Sequence, residues 1–492
     1  MNSEYTKPEK STEPSTSSKN KNRPDLLSYI RNGIPLTARQ KLRLVITLSI
    51  PGIIAQITSV IMQYIDASMV GHLGADASAA IGLVTTTIWL FGGICYSVCA
   101  GFYIQTAQYI GAKEYEKART VLKQSLFFVL LFSLLLVLIG LSISGFLPHW
   151  LGGEEALSTD STAYFRIYIC SLPFLCLNAL AGGMLQCSGN MKIPSLLNSI
   201  MCILDVIFNG WLIYRMDMGV TGAALGTALS EAVIALFMLY FLLFDSPFLA
   251  IFPKERGSES DESVGSLRTK EAFESPKKRT TFPYIKKAIR IFLPITFERI
   301  IMSAAYIAST KIIAPLGIIA IAAHSFAITA ESLCYMPGYG ISEASTTLIG
   351  QSIGARRKDL AYSFGKLTIG FGMLIMALTG GLMYLFAPQM IAILTPDPYV
   401  QELAVRILRI EALAEPLYGA SIVTAGVLRG AEDTLLPSLM NFISMWGVRI
   451  PFSYVLSRQF GLPGVWIAMC GELWFRGSIF LIRFFRKKWI TS

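Results

Sequence analysis

Apolar runs of twenty or more residues recur from Leu42 to Phe485, separated by short clusters of Gly, Pro, Asn and charged side chains. Wound as an α-helix, a run of that length crosses a bilayer hydrocarbon core of about 30 Å. Hydropathy and turn punctuation predict about twelve such helices, beginning near Leu42, Ser78, Lys123, Thr162, Pro194, Gly219, Ile285, Ile318, Ala361, Val400, Leu435 and Gly461. The pattern is that of an all-α polytopic membrane protein.

Composition agrees. Of 492 residues, 53% are hydrophobic and 15% charged, against about 25% charged in soluble chains, which excludes a water-soluble multidomain enzyme. The net charge of +10 does not indicate nucleic acid, because the basic residues sit in short loops beside apolar runs rather than on a basic domain. They report topology instead. Lys113 to Lys123, Lys192, Lys254 to Arg290, Arg356 to Lys358 and Arg483 to Lys488 fall on one side, whereas His149 to Asp160 on the other is almost free of Lys and Arg. The positive-inside rule then puts both termini in the cytoplasm. Residues 1–24 are polar and lack an apolar core, so they do not read as a signal peptide; with the short loops, this fits a multi-pass protein of a bacterial inner (plasma) membrane. The eight cysteines all lie in apolar stretches without metal-ligand spacing, so neither a disulfide framework nor a zinc site is expected. No cofactor is expected.

The chain repeats itself. Pro51 and Pro294, Gln108 and Gln351, Gly111 and Gly354, Pro173 and Pro416, Pro194 and Pro437, and Asn198 and Asn441 all pair at a shift of 243 residues. Each half holds six helices, an even number, so two six-helix bundles should be related by a pseudo-twofold axis along the membrane normal. The expected organisation is a disordered cytoplasmic tail and lead-in over 1–40, a first bundle over 41–245, a polar cytoplasmic linker over 246–284, a second bundle over 285–486 and a short cytoplasmic tail over 487–492. A cleft between two such bundles is what alternating access requires.

Several motifs carry a family resemblance. Pro51-Gly52 followed by Asp66-Ala67-Ser68-Met69-Val70-Gly71-His72-Leu73-Gly74 resembles the first-helix signature of the multidrug and toxic compound extrusion (MATE) family. Met336-Pro337-Gly338-Tyr339-Gly340, Gly350-Gln351-Ser352-Ile353-Gly354-Ala355 and Gly426-Val427-Leu428-Arg429-Gly430-Ala431 resemble further family motifs. The resemblance runs from about residue 40 to 485. It implies a secondary active exporter of organic, often cationic, compounds or metabolites, in antiport with H+ or Na+. Leu204-Asp205 is similar to the acidic position of the DinF-like branch; Tyr418 stands where the NorM-like branch has one of its second-half acids.

The residues themselves point to Asp66. An ionised group in the bilayer core needs a partner, water or a function. Gln56, Ser59, Gln63 and Asp66 follow helical spacing and form one polar stripe on the first helix, while Pro51 removes a backbone hydrogen bond and supplies a conformational hinge. Helix rise carries Asp205 and Thr227 to a similar depth, so Asp66, Asp205 and Thr227 are the expected cation-coupling residues. Close carboxylates would share a proton, whereas oxygens of Asp66, Asp205 and Thr227 could instead hold Na+. One turn before Asp205 stand Met201 and Cys202, where the branch pattern has an asparagine. Glu298 could couple or bind a cation, or pair with Arg299, Arg449 or Lys311. Together with Tyr64, Met201, Tyr306 and Met336, it joins Gln56, Ser59 and Gln63 as an expected lining of the substrate cavity. Glu331 and Glu343 carry similar weight, whereas Glu231, Glu472 and Arg476 read as interfacial charges.

The expected partners are an amphipathic or cationic small molecule, H+ or Na+, and the lipid bilayer, with no nucleic acid and a monomeric state. The alternative within transport is a flippase for a lipid-linked precursor. A membrane enzyme is disfavoured by the absence of His-Glu-x-x-His, Gly-x-Ser-x-Gly or a phosphate loop.

Overall fold

The computed structural model describes residues 26–153, 155–252 and 283–490. The expected tail over 1–25 and most of the expected linker, 253–282, therefore lie outside the described residues.

The first bundle comprises α1 (Ala38–Gly71), α2 (Ala75–Gly111), α3 (Tyr115–Ser144), α4 (Glu155–Cys187), α5 (Lys192–Gly210) and α6 (Gly219–Tyr240). The second comprises α7 (Pro283–Ile313), α8 (Ile318–Gly354), α9 (Lys358–Leu394), α10 (Pro398–Glu411), α11 (Glu415–Gly430), α12 (Leu435–Phe442, prolonged through a wide turn over Ile443–Arg449 into Ile450–Phe460) and α13 (Leu462–Phe485). Among the described residues, ten helices are by themselves long and apolar enough to cross a membrane. Of the remaining two crossings, one is interrupted, α10 and α11 making it together with a break over residues 412–414, and the other is the composite α12, helical throughout. Pro416 starts α11 afresh, where its missing N–H is of no consequence. Several helices begin before the predicted spans because they outrun the bilayer. At 34 residues, α1 is about 50 Å long.

The packing is inside-out relative to a soluble protein. On α3, Ser125, Val129, Ser133, Gly140 and Ser144 are buried while Phe127, Leu131, Leu134 and Leu138 are exposed. The buried serines return their hydroxyls to carbonyls of their own helix, Leu122, Leu130 and Leu141, each at 2.8 Å. With no hydrophobic gain between helices in lipid, small residues that allow close approach occupy the interfaces, and leucine faces the solvent it resembles.

The bundles are joined at the end that carries the Lys113, Lys192 and Arg356 loops. The near halves of α1 and α7 each cross onto the opposite bundle. Leu44, Val45 and Leu48 of α1 pack into the core of α8, α9, α11 and α13, and Ala288 and Phe292 of α7 pack into that of α2, α3 and α4. Val45 and Ala288 are fully buried counterparts in the repeat. Gly52 and Gly340 meet backbone to backbone; a Cβ on Gly52 would lie 2.9 Å from the Gly340 carbonyl oxygen. Nearer the loops, any side chain on Gly111 or Gly354 would strike the carbonyl of Gln351 or Gln108, respectively.

One expectation is corrected here. Within the lead-in read as disordered, Leu26–Arg31 forms a helix. Its Leu27 and Ile30 are buried, Leu27 lying against Gly189 of the α4–α5 loop, while Arg357 of the α8–α9 loop donates to the carbonyls of Tyr29 (3.4 Å) and Ile34 (2.7 Å). The spacing of Leu27 and Ile30 gives this short helix an apolar face, and the segment straps one bundle to the other.

Candidate functional site

Asp66 near the far end of α1 and Asp205 on α5 are brought together by a residue that hydropathy alone does not single out. Asn209 follows Asp205 by one helical turn, so both point the same way. Its Nδ2 donates to Asp66 Oδ1 at 3.1 Å and to Asp205 Oδ2 at 3.0 Å. Asp205 is fully buried and Asp66 is half-buried. The other oxygen of Asp205, Oδ1, accepts from Ser230 of α6 at 3.3 Å. The Asn209 Oδ1 is buried and lacks a hydrogen-bond partner among the described residues. Gly226 of α6 makes room for this arrangement, since a Cβ there would come within 2.8 Å of the Asn209 backbone nitrogen. Gly222 likewise seats against Leu212. The Gly222-x-x-x-Gly226 pair thus sets the α5–α6 distance that places Ser230 on Asp205.

Thr227 makes no hydrogen bond to either carboxylate among the described residues. Its hydroxyl donates to the Ala223 carbonyl at 3.2 Å, and its own carbonyl accepts from Ser230 at 2.9 Å. Ser230 is the hydroxyl that reaches the carboxylate. A β-branched threonine readily satisfies itself on the preceding turn of its helix.

The remaining candidates separate into three groups. Ser59, Gln63 and Tyr64 stay on the partly exposed side of α1, and Met201 lies 3.9 Å from the Asn178 amide, which in turn donates to Glu231 at 2.8 Å. Gln56 instead crosses to the second bundle. It donates to Glu343 Oε1 at 3.1 Å while Gln186 of α4 donates to Oε2 at 3.0 Å, so Glu343 is held wholly by the first bundle's amides. Glu298, Tyr306 and Met336 belong to the second bundle. Tyr306 is half exposed, and Glu298 is buried.

Glu298 is satisfied by residues other than those expected. Asn441 donates to Oε1 at 2.8 Å and Ser438 to Oε2 at 2.9 Å, with Arg429 at 3.5 Å. Arg299, Arg449 and Lys311 do not supply the pairing. Arg449 belongs to another network, in which fully buried Glu472 is flanked by Arg449 (2.8 Å) and Arg476 (3.0 Å). Glu472 and Arg476 are therefore interior groups, not interfacial charges. Pro51 lies within α1 immediately before Gly52, at the close contact with α8.

Comparison with known proteins follows the internal repeat. The MatE family model matches the chain twice, over residues 51–211 and 294–455, so each match starts at one of the two paired prolines. The probable multidrug resistance protein NorM of Thermotoga maritima is 25% identical over 94% of this chain and 96% of its own length. Among solved structures, a MOP superfamily transporter from Pyrococcus furiosus, described as having a binding pocket of reverse polarity that suggests a different function, superposes with a TM-score of 0.84 at 20% identity, covering 96% of this chain and all of that one. The straight conformation of MATE superposes with a TM-score of 0.81 at 21% identity, covering 91% of this chain and 97% of that one.

Proposed function

Because this chain belongs to the MATE family, matched once in each bundle, we propose that it exports amphipathic or cationic small molecules, among them drugs, in antiport with H+ or Na+. The observation that carries this reading is the single amide of Asn209 bridging Asp66 and Asp205. Both of its N–H groups are committed to carboxylates. A proton arriving on Asp66 turns an acceptor into a donor facing the Asn209 N–H, and the bond is kept only if the amide turns its unpartnered Oδ1, packed against Gly226, toward Asp66. The tie between α1 and α5 then has to rearrange. A sodium ion would find the same oxygens, with Asn209 Oδ1 as a neutral ligand beside two carboxylates. Either ion changes how α1 is held, and the Pro51 hinge lets that change reach the contact with α8.

Alternating access is supported by the one-sided joining of the bundles. The amide bridges described above, Gln56 and Gln186 to Glu343, must break for that end to open. The basic loops at this end support its being cytoplasmic, with both termini there and the chain in the cell's inner membrane as a monomer. The two bundles, 41–245 and 285–486, would then rock against each other, joined through the polar linker 246–284.

The test is efflux of a fluorescent organic cation from proteoliposomes under separately imposed proton and sodium gradients. Wild type should respond to one gradient, and Asp66→Asn and Asp205→Asn should lose that response. Flux that ignores both gradients, or persists in both variants, would sink the coupling assignment and favour the lipid-linked precursor flippase.

A further inference from the structure

Where α9 ends and α10 begins, at the end of the molecule away from the Lys113, Lys192 and Arg356 loops, the two helices part. They leave an open groove of about 550 Å³ lined by Pro388 of α9 and by Gln401, Glu402, Val405, Arg406 and Arg409 of α10. Two faces divide α10. Val400, Ala404, Ile407 and Leu408 are buried against the bundle, whereas the groove residues recur at steps of three and four on the other side. Arg406 and Arg409 are both exposed and stand one turn apart.

Arg409 is anchored by the proline across the groove. Pro388 lies inside α9 and has no N–H to return to the carbonyl of Tyr384, four residues earlier. That carbonyl accepts from Arg409 Nε instead, at 3.3 Å, and the guanidinium lies over the Tyr384 ring, 5.3 Å from its centroid. Both Nη groups of Arg409 are left without a hydrogen-bond or ion-pair partner among the described residues, as is the whole guanidinium of Arg406. Glu402, one turn before Arg406, pairs with neither arginine. Two arginines and one glutamate leave a single positive charge.

Depth and surroundings say what would meet that charge. At 37 residues, α9 is about 55 Å long and overruns a core of about 30 Å by roughly 12 Å at each end. Arg406 and Arg409 follow Pro398 by eight and eleven residues, about 12 and 16 Å of rise, so they stand where hydrocarbon gives way to headgroups. Towards the middle of α9, Leu374, Leu378, Gly381 and Leu385 continue from Pro388 as one exposed stripe, and a Cβ on Gly381 would meet nothing within 4 Å. An open apolar track thus leads out of the bilayer to two unpaired guanidinium groups. Guanidinium is matched to phosphate in both charge and donor geometry, and basic pockets between membrane helices hold lipid headgroups on the same terms.

We propose that this groove binds a membrane phospholipid, with its phosphodiester on Arg406 and Arg409 and one acyl chain along the Leu374 to Pro388 stripe of α9. The one negative charge of a phosphodiester balances the one positive charge of the groove. A lipid seated there braces α10 against α9, on the first half of the crossing that breaks over residues 412–414.

Native mass spectrometry of the detergent-purified full-length protein, titrated with phosphatidylglycerol, tests this. It uses neither cargo nor gradient and so stands or falls apart from the exporter reading. Wild type should take up its first lipid at least about tenfold more tightly than Arg406→Gln/Arg409→Gln, which loses the charge-assisted bonds. Gly381→Phe, which fills the track, should also weaken uptake, whereas Arg458→Gln, at an exposed arginine of the same end, should leave it unchanged. Equal first affinity in wild type and the double arginine variant would overturn the site and leave two arginines reaching for water. An equal loss in Arg458→Gln would overturn it too, as general charge attraction. Inorganic phosphate should not displace the lipid; if it does, the groove is an anion site and the lipid assignment fails. Should the double variant fail to fold, Arg406→Gln alone and Gly381→Phe, both on exposed faces, decide.

Discussion

Gln108 of α2 and Gln351 of α8 stand 243 residues apart, and each donates its side-chain amide to the final turn of a helix in the opposite bundle. Gln108 Nε2 reaches the Gly430 carbonyl at 3.2 Å, and Gln351 Nε2 reaches the Cys187 carbonyl at 2.8 Å. Gly430 and Cys187 are themselves 243 apart. The internal repeat therefore builds the same latch twice, with each bundle supplying one amide and one free carbonyl. Helix C-termini have unsatisfied carbonyls to offer, so neither bond disturbs a helix.

Removing a latch should loosen one end of the molecule. Gln351→Leu leaves the Cys187 carbonyl buried and unpaired, a loss of about 1–3 kcal/mol, and Gln108→Leu does the same at Gly430. Cysteines placed in the cleft at that end should become more accessible to a membrane-impermeant thiol reagent, more in the double variant than in either single one. Unchanged labelling would mean that the latches do not hold the cleft shut.

Asn209 should matter as much as the aspartates it joins. Asn209→Leu strips one donor from each carboxylate, at about 1–3 kcal/mol apiece. Gradient-driven efflux should fall at least about tenfold, the equivalent of 1.4 kcal/mol, while equilibrium binding of a fluorescent cargo is retained. Loss of cargo binding with coupling preserved would place Asn209 in the cargo site instead.

The two arginine–glutamate groups of the second bundle should respond oppositely to substitution. Arg429→Gln leaves Glu298 with its Ser438 and Asn441 donors, so the loss should stay within about 1 kcal/mol, as for a long, partly exposed pair. Glu472→Gln strands two buried guanidinium groups and should cost about 3–5 kcal/mol. Thermal unfolding of the detergent-purified protein, read by tryptophan fluorescence, distinguishes them. Equal effects would mean that Arg449 and Arg476 find other partners.

The fold was readable because membrane burial writes itself into long apolar runs, and because the repeat survives at prolines and glycines that backbone geometry requires. Asp66 and Asp205 were readable for a similar reason, since a carboxylate in an apolar run has few explanations. Asn209 and Ser230 were not. Neutral polar residues are common in membrane helices, and only the three-dimensional placement of Gly226 shows why these two reach a carboxylate. The partners of Glu298 were missed for the same reason, since its close donors, Asn441 and Ser438, are neutral polar residues, and Arg429 stands farther off at 3.5 Å.

The amino-terminal strap gives a last prediction. Ile30 is fully buried beneath both bundles, and Arg357 fixes the segment by two backbone carbonyls. Burying one isoleucine contributes about 1.5–3 kcal/mol, so Ile30→Asp should release the helix Leu26–Arg31 from its seat. If the strap must leave before the bundles separate at this end, the variant should show faster efflux under a saturating gradient and greater labelling of cleft cysteines, with thermal stability lowered by only a few degrees. Arg357→Ala, which removes the same anchor from the other side, should reproduce the effect. Slower efflux in both variants would show instead that the strap aligns the bundles for closure.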